Sequence, residues 1–278
     1  MLISDSQEDS MTATTHRPVL AGVDASAPSF GAVRWAAKEA RRRGTTLRLV
    51  HACVFDDTPP RGHDELLLEH IHRHLRRAAE IAREEAPEVR VETAVQLGLA
   101  VEILLAEAAD AALVVLGSHG LGGLRGALIG SVALRVAAEA PCPVVVVPGN
   151  RPVPTGPVAV GIDRTESSEH ALRFAFEAAA ALRAPVLVVH AWHTGNGVAE
   201  QQELETRVAA WQGKYPDLEV TGQVVRDRAP AHALQQVAPN ARLIVIGTRG
   251  RGPVAGGVLG STGNTLLAHA ACPVAVVH

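Results

Sequence analysis

GSHGLGGLRGALIGS (117–131) and GTRGRGPVAGGVLGS (247–261) are two glycine-rich stretches of one chain that share the same internal spacing. In each stretch, a glycine follows an aliphatic run, a second glycine comes three residues later, and a Gly-Ser pair opens a helix-like run. Glycine lets backbone N–H groups approach an anion, and a helix N-terminus favours negative charge. The repeated spacing therefore predicts a phosphate-binding loop that occurs twice. A pair of tight strand-to-helix connections without a ligand is the alternative.

The repeat extends over nearly the whole chain. PVLAGVDAS (18–26) matches PVAVGIDRT (157–165), and LRLVHA (47–52) matches VLVVHA (186–191). These pairs are offset by 139 residues and the glycine loops by 130, so the second copy has lost nine residues before its loop. We expect the loss in the helical region at 61–85. The predicted organisation is a disordered tail at 1–16, a first domain at 17–148, a Pro/Gly linker at 149–156 and a second domain at 157–278.

Aliphatic runs alternate with helical patterns in both copies. This alternation is typical of βαβ units and of a parallel sheet covered on both faces. Ser26 and Pro28 provide an N-cap and a fixed first turn for the first helix. The predicted fold class is α/β, with two tandem doubly wound, Rossmann-like domains, each a five-stranded parallel sheet flanked by helices. The closing strands, CPVVVVP (142–148) and CPVAVVH (272–278), are expected to pair as an internal pseudo-dimer.

Composition limits the function classes. The chain has 278 residues, 47% hydrophobic and 3% aromatic, with a formal net charge of −3. A general nucleic-acid binder would be basic and would stack bases on aromatic rings, so we expect no nucleic-acid partner. No apolar run is long enough to span a membrane and no secretion signal is evident, so we expect a cytoplasmic protein without membrane contact. The cysteines have no metal or disulfide spacing and are predicted to be buried: Cys53, Cys142 and Cys272.

The glycine loops differ from two common nucleotide motifs. A Walker loop needs a lysine beside the final glycine, and Ser131 and Ser261 stand there instead. The two lysines of the chain, Lys38 and Lys214, lie outside both loops. The dinucleotide pattern GxGxxG with a downstream ribose-binding acid is also absent at the first strand.

The motif Gly-x-x-Gly-x9-Gly-Ser, paired with a first strand that ends in Asp, resembles the universal stress protein family. The resemblance covers about residues 17–278, as a tandem member of the ATP-binding subgroup, with an adenine nucleotide alpha hydrolase-like fold. It implies two related sites for ATP or another adenine nucleotide, with or without magnesium. It also implies a nucleotide-responsive stress protein in which two chains form a homodimer on top of the internal pseudo-dimer.

The resemblance assigns roles position by position. In the first copy it implies phosphate, ribose and adenine contacts at Gly22, Val23, Asp24, Ala52, Leu116, Gly117, Gly120, Gly130, Ser131 and Val132. In the second copy the equivalents are Gly161, Ile162, Asp163, Ala191, Ile246, Gly247, Gly250, Gly260, Ser261 and Thr262. Gly98 aligns with Arg228 in the second copy, which predicts a different shape for the second site.

Two other function classes stay open. A slow ATPase or phosphotransferase would need cationic charge on the γ-phosphate, for which the loops offer only Arg125, Arg249 and Arg251. No catalytic base is evident beyond Asp24 and Asp163, so at most weak hydrolysis is expected. A ligand-free interaction module is the third reading, and it would purify without nucleotide.

Several polar residues also have purely structural interpretations. Asp24 and Asp163 could cap the following helix or accept backbone hydrogen bonds in a turn. His51 and His190 are interpreted as structural histidines at strand ends. His70 and His74, with His63 and Asp64 upstream, have the spacing of a metal site on one helix face, but we favour a solvated face because the second copy has no counterpart.

Overall fold

Each half of the chain builds five strands with helices between them. The structure is a computed structural model and describes residues 17–54, 63–120, 129–149, 154–248 and 259–278. The elements of the first half are β1 (Val19–Gly22), α1 (Ala27–Arg43), β2 (Leu47–Cys53), α2 (His63–Glu85), β3 (Val91–Leu97), α3 (Ala100–Ala108), β4 (Leu113–Gly117), α4 (Ser131–Glu139) and β5 (Val144–Val147). Those of the second half are β6 (Val158–Ile162), α5 (Ser167–Leu182), β7 (Val186–Trp192), α6 (Gly197–Gln212), β8 (Val220–Arg226), α7 (Pro230–Val237), β9 (Leu243–Gly247), α8 (Ser261–His269) and β10 (Val274–Val277).

The ten strands form one continuous sheet in the order β3-β2-β1-β4-β5-β10-β9-β6-β7-β8. All pairs within a half are parallel. At the junction, β5 and β10 pair antiparallel, with Val145 opposite Ala275. The α/β fold and its two five-stranded parallel sheets are confirmed. The closing strands also pair as predicted, so the two sheets are halves of a larger one.

Two apolar layers cover the two faces of the sheet. Side chains alternate along a strand, so Val19 and Ala21 pack towards α1 and α2, whereas Leu20 packs towards α3 and α4. The first layer is built on alanines of α1 that are fully buried: Ala32, Ala36, Ala37 and Ala40. Small side chains let this helix lie close to the sheet, which explains how a chain with few aromatic residues fills its core. Among the helices of the described residues, none is long and apolar enough to cross a membrane.

The predicted helix start and the predicted deletion are both confirmed. Ser26 caps α1, because its Oγ accepts a hydrogen bond from the backbone N–H of Ser29 at 3.2 Å. The helix ends at Gly44, whose φ of 60° is in the left-handed region that glycine adopts easily. Helix α2 has 23 residues and its counterpart α6 has 16, so the second copy is shorter in the region we expected.

The three cysteines are buried, as predicted. Their exposed fractions are 9% at Cys53, 6% at Cys142 and 4% at Cys272. Burial disfavours the thiolate and raises the pKa of Cys142 and of Cys272 to about 11. Burial also raises the pKa of Cys53.

We therefore expect the native protein to resist alkylation by iodoacetamide at neutral pH. The thiolate is the reactive form, and all three sites disfavour it. Mass spectrometry should find unmodified thiols in the folded protein and labelling of every cysteine after denaturation in guanidinium. Rapid labelling of Cys142 or Cys272 in the folded state would contradict the buried placement.

Candidate nucleotide-binding cavity

A cavity of about 480 Å³ opens at the carboxyl ends of β1 and β4. In the strand order, the chain connections change direction between these two strands, and ligands of doubly wound sheets bind at such switch points. The lining includes all ten positions predicted for the first copy: Gly22, Val23, Asp24, Ala52, Leu116, Gly117, Gly120, Gly130, Ser131 and Val132. Residues that lie far apart in the sequence thus meet around one space.

Two glycines at the base of the cavity allow neighbouring atoms to pack closely. A Cβ at Gly22 would lie 2.7 Å from Cδ2 of Leu116, across the β1–β4 pair. A Cβ at Gly117 would lie 2.7 Å from the carbonyl carbon of Pro28 and 2.8 Å from the nitrogen of Ser29. The end of β4 therefore packs directly on the start of α1, and this close approach sets the position of the loop that follows.

The start of α4 supplies hydrogen-bond donors on one side of the cavity. The backbone N–H groups in the first turn of a helix have no intrahelical partner. In α4, which begins after Gly130, no side-chain cap occupies them either. Ser131, Val132 and Ala133 of this turn line the cavity. The N–H of Gly130 donates to the carbonyl of Ser118 at 2.8 Å, which fixes the helix start against the end of β4. Uncapped donors at a helix N-terminus favour an anion.

Asp24 faces the cavity and also shapes the turn that carries it. Its Oδ1 accepts a hydrogen bond from the N–H of Ser26 at 3.0 Å, so the structural interpretation holds for that oxygen. A Cβ added at Gly120 would lie 2.5 Å from Oδ2, so this second oxygen points to the glycine loop. Ala25, the residue between Asp24 and Ser26, has a φ of 67°, an unusual value for a residue other than glycine.

Sequence reasoning missed His119, which lines the same cavity. Its Nδ1 lies 2.9 Å from Oγ of Ser118, and this hydroxyl accepts the N–H of Gly149 at 3.4 Å. Ser118 is buried, so its hydroxyl group needs a hydrogen-bond acceptor. Among the described residues, that acceptor is Nδ1 of His119. A neutral His119 then carries its own proton on Nε2, which makes Nε2 a hydrogen-bond donor.

Other lining residues were also missed: Ser29, Val50, Ala100, Leu104, Ile129 and Ala133. Ser29, Val50 and Leu104 recur as Ser168, Val189 and Leu234 in the second half. Identity between the two copies was therefore a signal for three of them. The others are small or apolar positions that no motif marks.

The second-half positions occupy corresponding places, with Gly250 outside the described residues. Gly161 and Ile162 end β6 and Asp163 follows it, Ala191 lies on β7, and Ile246 and Gly247 end β9. Gly260 precedes α8, which begins at Ser261 and Thr262 without a side-chain cap. Oδ1 of Asp163 accepts hydrogen bonds from the Thr165 N–H and from Ser168 Oγ, both at 2.8 Å, and from Thr165 Oγ.

The alignment of Gly98 with Arg228 was wrong. The N–H of Gly98 donates to the carbonyl of Cys53 at 2.8 Å, and in the second half Asp227, not Arg228, makes the matching bond, to Trp192 at 2.9 Å. Asp227 Oδ1 then accepts the N–H of Ala229 at 2.8 Å and leads into α7. The second copy has gained one residue in this connection, so Arg228 is the additional residue.

The structural interpretation of the two strand-end histidines agrees with their hydrogen bonds. Nδ1 of His51 lies 2.6 Å from the carbonyl oxygen of Val23, and Nδ1 of His190 lies 3.1 Å from that of Ile162. Each ring therefore ties a second strand to the end of the first. His70 and His74 contact each other edge to face, with ring centroids 4.4 Å apart. Within the described part of the chain, no group of three potential metal-ligating side chains occurs.

Comparison with known proteins places these features in a wider group. The family model described as "Universal stress protein family" matches residues 15–148 and again 155–278. A universal stress protein of Mycobacterium tuberculosis is 35% identical over 285 residues, covering 93% of this chain and 95% of the relative. One of Mycolicibacterium smegmatis is 33% identical, covering 95% and 97%. The crystal structure of a universal stress protein from Archaeoglobus fulgidus has a TM-score of 0.75 at 20% identity, covers 94% of this chain and 95% of its own, and shares the fold.

Proposed function

This chain belongs to the universal stress protein family, and from that premise we propose that it binds an adenine nucleotide, ATP with or without magnesium, once in each half. The nucleotide-responsive regulatory role that the sequence resemblance implies is part of the proposal. The observation that supports nucleotide binding is the first-half cavity, whose volume of about 480 Å³ is within the usual range for small-molecule sites.

The two ends of this cavity have different chemistry, and both suit a nucleotide. Val50, Leu104 and Leu116 give an apolar wall on which a purine ring can pack. Oδ2 of Asp24, beside the glycine loop, is an acceptor for a ribose hydroxyl. The opposite side carries the uncapped N-terminus of α4, which suits phosphate oxygens. A nucleotide would therefore lie with its base towards β2 and its phosphates towards α4.

His119 adds a side-chain donor on the loop side of the cavity. Because Ser118 directs the proton of the neutral ring to Nε2, this nitrogen can donate to a phosphate oxygen without a change of tautomer. The residue at the matching sequence position of the second copy is Arg249, which is also a donor. The phosphate end thus combines backbone donors with one side-chain donor.

The first test is whether the purified protein carries and binds adenine nucleotide. We expect denaturation to release adenine nucleotide and calorimetry to find one ATP for each half. ATP at about 100 times its Kd should add about 2.7 kcal/mol to the free energy of unfolding and raise the melting temperature. Wild-type protein that neither carries nor binds any adenine nucleotide would contradict the proposal.

A matched pair of glycine variants assigns the binding to the first-half cavity. In Gly120→Ala, the new methyl group would lie 2.5 Å from Oδ2 of Asp24, at the loop side of the cavity, so first-half binding should be lost. In Gly149→Ala, a Cβ meets nothing within 4 Å, and binding should be unchanged. Equal binding by both variants would show that the nucleotide lies elsewhere.

Association of two chains into a homodimer stays a prediction. The internal junction already uses β5 and β10, which are the edges that a single-domain relative would have available. A homodimer of this chain would therefore use a different surface, such as the outer strands β3 and β8 or the helical layers.

A further inference from the structure

A second cavity, of about 470 Å³, lies between α3 and the face of the sheet that β1, β2 and β3 form. We call it the α3 groove. Arg48 of β2 and Gln96 of β3 line it from the sheet, and Ile103 and Glu107 line it from α3. Among the described residues, its lining shares no member with that of the nucleotide-binding cavity. Its volume is also within the usual range for small-molecule sites.

Three side chains of the α3 groove form one hydrogen-bonded cluster. Arg48 donates twice to Glu107, from Nε to Oε2 at 2.6 Å and from Nη2 to Oε1 at 2.9 Å. Nε2 of Gln96 donates to Oε1 of the same carboxylate at 3.1 Å. The hydrogen bond from Arg48 lowers the pKa of Glu107, so this carboxyl group is ionised at neutral pH.

The second half builds the same contact between sheet and helix without this polar cluster. The strand register and the helix starts align Arg48, Gln96 and Glu107 with three apolar residues that pack partly buried against the core: Leu187, Val225 and Val237. Replacing a buried ion pair with apolar side chains is often neutral or stabilising. The fold therefore does not require the cluster, and its presence in one copy indicates a function.

Hydrogen bonding within the cluster leaves acceptors open to the α3 groove. Because Nε2 of Gln96 donates to Glu107, its Oε1 has no hydrogen-bond partner among the described residues. Asp110, which follows the end of α3, lines the groove and makes no hydrogen bond or ion pair within the described part of the chain. The guanidinium group of Arg48 is already directed at carboxylates, with Nη1 3.9 Å from Oε2 of Glu92. A ligand that fits here must donate hydrogen bonds.

The charges around the α3 groove favour a cation. Arg48 neutralises Glu107, and Asp110 adds a negative charge without a partner in the described residues. Helix α3 ends beside Asp110 with no basic residue in its last turn, and a helix C-terminus favours positive charge. Leu20 and Ile103 supply apolar surface in the same groove. The groove thus combines a place for a cation with a place for methylene groups.

We propose that the α3 groove binds an aliphatic amine in its ammonium form, of the polyamine class. The ammonium group donates to Oε1 of Gln96 and to the carboxylate of Asp110, and the methylene chain packs on Ile103. An ammonium group has three N–H donors and no acceptor, which matches the acceptors that the groove offers. An anion fits poorly, because it would have to displace Glu107 from Arg48. This inference does not depend on nucleotide binding.

Calorimetric titration of the whole chain with spermidine, in the absence of nucleotide, tests the proposal. We expect saturable binding of one spermidine for each chain at low ionic strength. Added salt should weaken it, because the charges that hold the amine are partly exposed. Wild-type protein that shows no saturable binding of spermidine up to millimolar concentrations would overturn the proposal.

A matched pair of exposed aspartates assigns the binding to the α3 groove. Asp110→Asn introduces the residue that the second half has at this position, Asn240, and removes the carboxylate that receives the amine. Spermidine affinity should then fall about tenfold or more, because a hydrogen bond to a charged group contributes about that much. Asp217→Asn removes the same charge from an exposed position in the second half, and its affinity should equal that of the wild type.

A triple variant gives the α3 groove the side chains of the second half. In Arg48→Leu/Gln96→Val/Glu107→Val, we expect a folded protein that no longer binds spermidine and keeps its affinity for ATP, because the two cavities have separate linings. Equal spermidine affinity in the wild type, in Asp110→Asn and in the triple variant would overturn the proposal. Should the triple variant fail to fold, the comparison of Asp110→Asn with Asp217→Asn decides the question by itself.

Discussion

Replacing Gly117 with alanine should remove nucleotide binding from the first half and destabilise the whole molecule. The new Cβ would lie 2.7 Å and 2.8 Å from backbone atoms of Pro28 and Ser29. Backbone atoms at a helix start cannot rotate away, so either β4 or α1 must shift. Overpacking of this kind costs about 3 kcal/mol at the upper end of the usual range. Urea denaturation measures that cost, and calorimetry with ATP measures the lost site.

The matching variant in the second half provides a control with a different obstacle. A Cβ at Gly247 would lie 2.8 Å from Oγ and 2.9 Å from Cβ of Ser167, with the Ser167 carbonyl oxygen at 3.1 Å. Most of this clash is with a side chain, so Ser167→Gly should restore part of the stability that Gly247→Ala loses. No single side-chain deletion can do the same for Gly117→Ala. A wild-type melting temperature for Gly117→Ala would show that the contact between β4 and α1 is looser than described.

The first-half cavity could be predicted because the duplication repeats the residues that build it. Gly117 and Gly130 have counterparts 130 residues later and Asp24 has one 139 residues later, and a parallel sheet brings the ends of their strands to one edge. The pairing of β5 with β10 could be predicted for the same reason, because each copy ends in an aliphatic strand with one free edge.

The rest depended on contacts that spacing does not record. The alignment of Arg228 with Gly98 was wrong because the second copy has gained one residue in this connection. An alignment that uses only the motifs on either side does not reveal that residue. The pairing of His190 with Glu200 joins a strand to a helix in the region where the two copies differ most in length. Comparison of the two copies therefore predicted what they share and missed the feature that distinguishes the second half.

Replacing Ala275 with aspartate should have the largest effect on stability, because this residue lies at the junction of the two halves. Ala275 is fully buried on β10, opposite Val145 of β5, and its strand also pairs with β9. A carboxylate there would lose its hydration among apolar side chains, at a cost of several kcal/mol. That cost is comparable with the whole free energy of unfolding of a domain, which is about 5–15 kcal/mol. Circular dichroism and gel filtration should find the variant unfolded or aggregated.

The same substitution on an outer strand separates burial from charge. Thr221 lies exposed on β8, at the edge of the sheet, so Thr221→Asp should change the free energy of unfolding by no more than about 0.5 kcal/mol. Both variants add one negative charge to a strand, and only the junction variant buries it. Because β5 and β10 join the two halves into one sheet, damage at Ala275 should affect the thermal unfolding of both halves together. An Ala275→Asp protein that melts at the wild-type temperature would contradict the buried junction between β5 and β10.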